Sequence, residues 1–192
     1  MKKPTQEALI TKTIQMIAKK GAEGVSIADI SKASKISASS IYHFFKSKHG
    51  LIYACILDIA YDISGRLHEV IDWEKTFKEN YYSAMKVVIK YIKANPDRAR
   101  FYAQLPFFPK DSWTMQEKMV IAETCPMSKL MNKGIEKHAI RKVPYILTIA
   151  YFPVYTNTLS NIKGSEEDED IVIDMMWNAI ALPADIAENT AP

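Results

Sequence analysis

The sequence predicts an all-α protein of about nine helices, with a short helix-turn-helix part at the N-terminus and a larger helical body behind it. Three observations carry this. Apolar residues recur at a spacing near 3.6 along most of the 192 residues, no alternating run is long enough for a useful strand, and helix-start signals crowd between Ser26 and Leu51. A hydrophobic content of 48% with 24% charged residues is that of a globular chain.

The first helix is amphipathic, with Ile10, Ile14 and Ile17 on one face, and Gly21 and Gly24 end it. Its opening, Met1-Lys2-Lys3-Pro4, runs straight into that helix and does not resemble a secretory leader. Ser26 heads a capping box with Asp29, and Val25 and Ile30 stand at the staple positions, which predicts a helix over Ile27 to Ala33. Lys35 and Ile36 form a tight turn. Ser37 repeats the device with Ile36 and Ile41 as the staple, opening a short helix through about Phe44. Ser47 then starts a long helix from Lys48 to about Val70. The pattern continues with a helix from about Glu74 to Ala94 and another from Pro96, after Asn95, to Leu105. Leu105 to Pro109 reads as a loop. Ser112 to His138 is helical again, with Pro126 expected to kink or divide it near Thr124. Pro144 opens the next helix and Gly164 closes it. Ser165 caps the last helix with Asp168, the acidic run Glu166 to Asp170 fills its first turns, and Pro183 ends it.

Val143 to Ile162 is twenty residues without a charge, the length of a membrane span. Thr148, Thr156, Asn157, Thr158, Ser160 and Asn161 interrupt it, as do Pro144 and Pro153, so a buried helix is expected there and no membrane association. Cys55 and Cys125 are the only cysteines and have no CxxC or Cys-His spacing. Neither a disulfide framework nor a metal site is predicted, no cofactor is called for, and a reducing cytoplasm is the default compartment.

The surface following the second and third helix starts points to a polyanion. Helix N-termini favour Asp or Glu, yet the first turns after Ser37 and Ser47 hold only Ala, Ser, Lys, His and Gly. That leaves backbone N–H groups for an outside anion, such as a nucleic-acid phosphate. Charge agrees. Residues 1–50 carry nine Lys against Glu7, Glu23 and Asp29, a net of +6 in a chain whose total is +3, so the remainder stands at −3. Each cap alone is commonplace in helical proteins. The order is not: a helix, a turn of three or four residues, a short helix of small polar residues ending in Tyr-His-Phe-Phe, then a basic helix start.

The run Val25-Ser26-Ile27-Ala28-Asp29-Ile30, then Ser37 to Phe45 as SASSIYHFF, then Lys46-Ser47-Lys48 before Leu51, resembles the tetracycline-repressor-type (TetR) transcriptional regulators over about residues 5 to 60. Lys35 stands where that family often has a turn Gly, and His49-Gly50 where it often has an acidic residue. The resemblance implies a DNA-binding domain over residues 1–47 and an effector-binding and dimerisation domain over 48–192. In it the long fourth helix links the two parts, and the final two helices pair in a homodimer on a palindromic double-stranded operator. Carried over by position, Ser37, Ala38, Ser39 and Ser40 form the N-terminal turn of the reading helix, where Ala38 and Ser39 help choose the sequence and Ala38 meets a thymine methyl. Ser26, Tyr42, His43 and Lys48 form the phosphate group, and Lys35 and His49 could each add a contact. For Tyr42 the alternative is packing on Phe45 in the small core, where Ile41, Phe44 and Phe45 belong.

Of the 20 aromatic residues, 17 lie beyond position 50, with most of the Met. An apolar pocket with adaptable Met and a few polar groups suits a lipophilic or aromatic effector. Candidates by placement are Tyr81, Met85, Phe101, Tyr102, Phe107, Phe108, Trp113, Met119, Met127, Met131, Tyr145 and Phe152, though much of any such set is ordinary core. Glu123 and His138 are polar handles, with His138 equally suited to capping a helix end. Tyr145 to Leu159 and Ile171 to Leu182 are apolar over more of their circumference than one surface helix needs, as expected of a core face plus a partner face, which is favoured here, or of a large monomeric core.

The expected activity is that of a ligand-released repressor in a bacterial cytoplasm, associated with the nucleoid when on DNA, and not an enzyme. His43, His49, His68 and His138 have no nucleophile or metal-ligand pattern around them, and no Gly-rich phosphate loop occurs. The alternatives are a DNA-bound structural or cell-cycle factor of the same fold without an effector and, further off, a helical small-molecule-binding enzyme.

Overall fold

The computed structural model describes residues 4–104, 125–142 and 165–182. Among them are eight helices and no strand. They are α1 (Pro4–Lys20), α2 (Ile27–Ser34), α3 (Ala38–Phe45), α4 (Lys48–Val70), α5 (Phe77–Ala94), α6 (Pro96–Tyr102), α7 (Pro126–Glu136) and α8 (Glu166–Ile180). The expected helix over 144–164, the loop at 105–109 and the turn at Pro183 lie outside the described residues.

α1 buries Leu9, Ile10, Ile14 and Ile17, one stripe of a 3.6-residue period. It stops at Gly21, whose φ of 77° lets its N–H reach the Ile17 carbonyl at 2.9 Å. α2 and α3 bury Ile27, Ile30 and Ile41 against that stripe, and the start of α4 closes this core with Leu51, Ile52, Cys55 and Ile56. Neither Cys55 nor Cys125 is in a disulfide. The same cluster continues through Ile59 and Leu67 of α4 into Val88 and Ile92 of α5, Phe101 of α6 and Leu130 of α7. α6 packs against α1 as well as α5, so the body touches the head directly.

A second cluster joins Tyr81, Met85 and Ile89 of α5 to Met131 of α7 and Ile173 and Ile180 of α8. After α7 the chain passes through His138, in the left-handed region at φ 53°, and pairs with the end of α8. There Arg141 N–H donates to the Ile180 carbonyl at 2.9 Å and Leu182 N–H to that of Ala139 at 3.2 Å.

Of two boundaries, one follows expectation and the other differs from it. At Pro126 the expected division is seen from its C-terminal side: Cys125 is extended (φ −90°, ψ 113°) and Pro126 is the first residue of α7, while the chain before Cys125 lies outside the described residues. A proline pushes the preceding residue out of the helical region and needs no N–H in a first turn, so it starts a helix more readily than it bends one. α5 begins at Phe77 rather than near Glu74, because Thr76 and Glu79 form a capping box. The chain before it is held by the buried Asn80, whose side chain bonds the N–H of Asp72 at 2.8 Å and its carbonyl at 2.7 Å.

Candidate nucleic-acid interface

α2 and α3 are short helices set by their own first residues. Ser26 accepts from Asp29 N–H at 3.1 Å while Asp29 accepts from Ser26 N–H at 2.9 Å. The Ser26 hydroxyl, which donates to the Asp29 carboxylate at 2.5 Å, and then the Ser26 N–H hold that carboxyl below its ordinary value of 3.8. At α3, Ser37 accepts from Ser40 N–H at 3.2 Å, and its hydroxyl lies 2.9 Å from that of Ser39 and 2.8 Å from that of Ser40. At α4, Ser47 accepts from Gly50 N–H at 2.9 Å. One N–H in each of these first turns is therefore taken by the cap rather than left for an outside anion.

The turn between α2 and α3 is tied by the Ser31 hydroxyl, which donates to the Ile36 carbonyl at 2.7 Å. Lys35 ends α2 in the left-handed conformation at φ 59°, the region that favours Gly. Ile41 is fully buried and anchors α3. Around it Ser37, Ser39 and His43 are exposed, Ala38 and Ser40 half-buried, and the Tyr42 ring is 50% exposed rather than packed into the core. Phe44 and Phe45 are half-buried against the core instead of fully inside it. His43 meets Phe44 edge-on at 5.6 Å. Ser26 and Lys35 are exposed as well, and Lys48 is half-buried in the first turn of α4. With His49, half-buried in the first turn of α4, the sequence-derived residues thus fall on the two caps, the turn, α3 and the adjoining helix start.

Lys46 was not among them. It ends α3 at φ 66°, and its ammonium donates to the His43 carbonyl at 3.2 Å, neutralising a helix C-terminus. Its place one residue past Phe45 was the only available signal.

The effector candidates divide. Tyr81, Met85 and Met131 meet in the second cluster, where burial pushes the Tyr81 hydroxyl well above its ordinary value. Phe101 and Tyr102 pack on the first cluster, Tyr102 with a hydroxyl likewise raised by burial, and Met127 touches both clusters. Phe107, Phe108, Trp113, Met119, Glu123, Tyr145 and Phe152 lie outside the described residues. Sequence reasoning missed Tyr82, which donates to Asp174 and whose hydroxyl is pushed up to about 12, first by burial. It also missed Trp177, stacked among Phe77, Tyr81 and Tyr82. Among the described residues no group of three or more His, Cys, Asp or Glu could hold a metal ion, and no helix is long and apolar enough to cross a membrane.

A capped helix, a tight turn and a second capped helix exposing small polar and basic residues form a helix-turn-helix, the arrangement that places a helix in the DNA major groove in proteins that use it. Residues 9–55 match the model of the bacterial regulatory proteins of the tetR family. Over that segment the chain is similar to the DNA-binding part of those regulators. No curated protein matches the sequence. The fold is shared with a Shewanella sp. PV-4 protein classed with the tetR regulators, at 15% identity over 94% of this chain and 100% of that one, TM-score 0.79. It is shared too with a TetR family regulator from Marinobacter aquaeolei VT8, at 16% identity over 93% and 96%, TM-score 0.74. A third, from Haemophilus influenzae, has 18% identity over 93% and 97%, TM-score 0.69.

Proposed function

We propose that this regulator is a homodimeric repressor of the bacterial cytoplasm, which leaves a palindromic operator when a small lipophilic or aromatic molecule binds its body. The supporting observation is the face of α3, which buries Ile41 and turns Ser39, Tyr42 and His43 outward without a carboxylate. Residues 1–47 act as the reading head and 48–192 as sensor and dimer body. Ala38 and Ser39 read base edges, with Ser37 and Ser40 beside them; Ser26, Lys35, Tyr42, His43 and Lys48 hold phosphates.

One such head covers a half-site, and two-fold pairing sets two heads about 34–36 Å apart on successive major grooves. Pairing through the last two helices is supported on α8, where Ile171 is 52% and Met175 54% exposed, an unusual place for large apolar side chains. An effector seated among Tyr81, Met85, Tyr102 and Met127 acts only as far as it binds the two arrangements of the heads unequally. Its route to DNA is α6, which packs on α1, together with Gln104 just beyond it, whose Nε2 donates to the Ile17 carbonyl at 2.9 Å.

The test is duplex affinity as a function of salt. Several phosphate contacts require log affinity to fall linearly and steeply with log salt, and a flat response overturns the reading. On a selected operator, Lys48→Ala weakens all sequences alike, whereas changing Ser39 alters the preference among them.

A further inference from the structure

We propose that the solvent face at the start of α5 is a second anion site, suited to a small molecule bearing two or more phosphate or carboxylate groups. A groove of about 460 Å³ is lined by Lys75, Lys78, Glu79, Tyr82, Ser83 and Lys86. That volume lies in the range of small-molecule sites. Three ammonium groups share it with one carboxylate, and that carboxylate is engaged elsewhere. Glu79 accepts from the N–H of Thr76 at 2.9 Å and from its hydroxyl at 2.7 Å, completing the α5 cap.

Lys78 is held over the rings of Tyr82 and Trp177, 5.4 and 5.6 Å from their centroids. Ring faces fix a cation without consuming it as a carboxylate does, so its N–H donors stay available. Lys86 bonds Asp170 at 2.8 Å at the rim, across to α8. Lys75 and Lys78 have no carboxylate partner among the described residues.

The groove is remote from the reading surface. Asn80 is bonded to Asp72, just past the end of α4, and a helix of 23 residues spans about 33 Å. A duplex seated on α3 therefore does not reach it. It lies in a body whose net charge is −3, with Asp170 and Asp174 of α8 at its edge on Lys86 and Tyr82, so it is not an extension of the basic head. An exposed ammonium gains little from a single charge. An anion with two or more charged groups can span Lys75 and Lys78 and compete with Asp170 for Lys86.

The intact protein should be titrated with inorganic pyrophosphate, and with citrate as the carboxylate counterpart, while backbone amide resonances are followed by NMR. Saturable shifts over Thr76 to Lys86 are expected, separate from any at α3, with affinity reduced about tenfold or more by Lys75→Glu combined with Lys78→Glu. Both positions are exposed, so the double variant should stay folded with a midpoint lowered only by loss of the Lys78 ring contacts, and its duplex affinity should match the parent. Shifts confined to the head, shifts that never saturate, or an affinity untouched by the double substitution overturn the proposal. So does a duplex that moves the α5 resonances where pyrophosphate does not, since the face is then a nucleic-acid surface.

Discussion

Lys35 sits at φ 59° in a helix cap where an L side chain costs roughly 1–2 kcal/mol and Gly costs only the roughly 0.5–1 kcal/mol of its extra chain freedom. Lys35→Gly is therefore expected to raise stability by about 0.5–1 kcal/mol in urea unfolding. If the ammonium meets a phosphate, the same change weakens duplex binding and makes the salt dependence shallower; equal salt slopes would remove Lys35 from the contact set. The capping carboxylates give a second residue-scale expectation. Hydrogen bonds from the Thr76 hydroxyl and then its N–H hold Glu79 below its ordinary value of 4.5. A group with a depressed folded value stabilises the fold above its unfolded value and loses that contribution as pH falls through the folded one. The gap in unfolding midpoint between the parent and Glu79→Gln should stay constant from neutral pH down to about 5 and then narrow in acid. A gap that widened in acid would contradict the cap. Such caps are legible in a sequence because donor and acceptor lie three residues apart, as at Ser26, Ser37, Ser47 and Ser165. The Gln104 bond to Ile17 spans 87 residues and leaves no local trace.

At the scale of elements, the helix starts at Ser26, Ser37, Ser47, Asn95 and Ser165 follow from short-range chemistry, and the structure places helices directly after each. Pro126 and Thr76 show where such reading stops short. A proline within an apolar pattern is compatible with a kink or with a new first turn, and the apolar spacing from Glu74 outweighs the Thr76-Glu79 box only in the sequence, not in the structure. Which helix faces meet depends on side-chain volume rather than period. Gly134 is the clearest case, since a Cβ there would stand 2.5 Å from Phe77 Cε2 and 2.7 Å from its Cζ. Phe77 is itself wedged against Tyr81 and Trp177, with centroids 6.1 and 5.8 Å away, so its ring has little room to yield. Helix propensity alone would make Gly134→Ala favourable by about 1 kcal/mol, while overpacking costs about 1–3 kcal/mol. The net expectation is a loss of up to about 2 kcal/mol, read from chemical unfolding. Restoring space with Gly134→Ala in a Phe77→Leu background should recover part of it, whereas strict additivity of the two changes would show that they do not touch.

For the whole molecule, the deciding feature is that the head has no core of its own. Ile10, Ile14 and Ile17 pack with Leu51, Ile52, Cys55 and Ile56 of α4, and that cluster runs on without a gap to Phe101 of α6 and Leu130 of α7. Polar bonds follow the same path. Arg98 of α6 bonds Asp58 of α4 at 2.7 Å and the Tyr91 hydroxyl at 3.1 Å, and the Cys55 thiol donates to the Ile10 carbonyl at 3.7 Å. A chain cut at position 47 keeps α1 to α3 but loses the α4 side chains Leu51, Ile52, Cys55 and Ile56 that complete their cluster. Each large apolar side chain left uncovered forfeits about 1.5–3 kcal/mol of burial, and several such losses exceed what a domain this small holds in reserve. The fragment 1–47 is therefore expected to lack cooperative unfolding and to show little helix by circular dichroism, while the intact chain unfolds in one calorimetric transition that includes the head. A fragment that melts cooperatively, or a separate low-temperature transition in the intact protein, would mean that head and body are independent. Binding in the body could then reach DNA only through the dimer, and Gln104→Ala, which severs its bond to α1, would leave the effector response unchanged instead of blunting it.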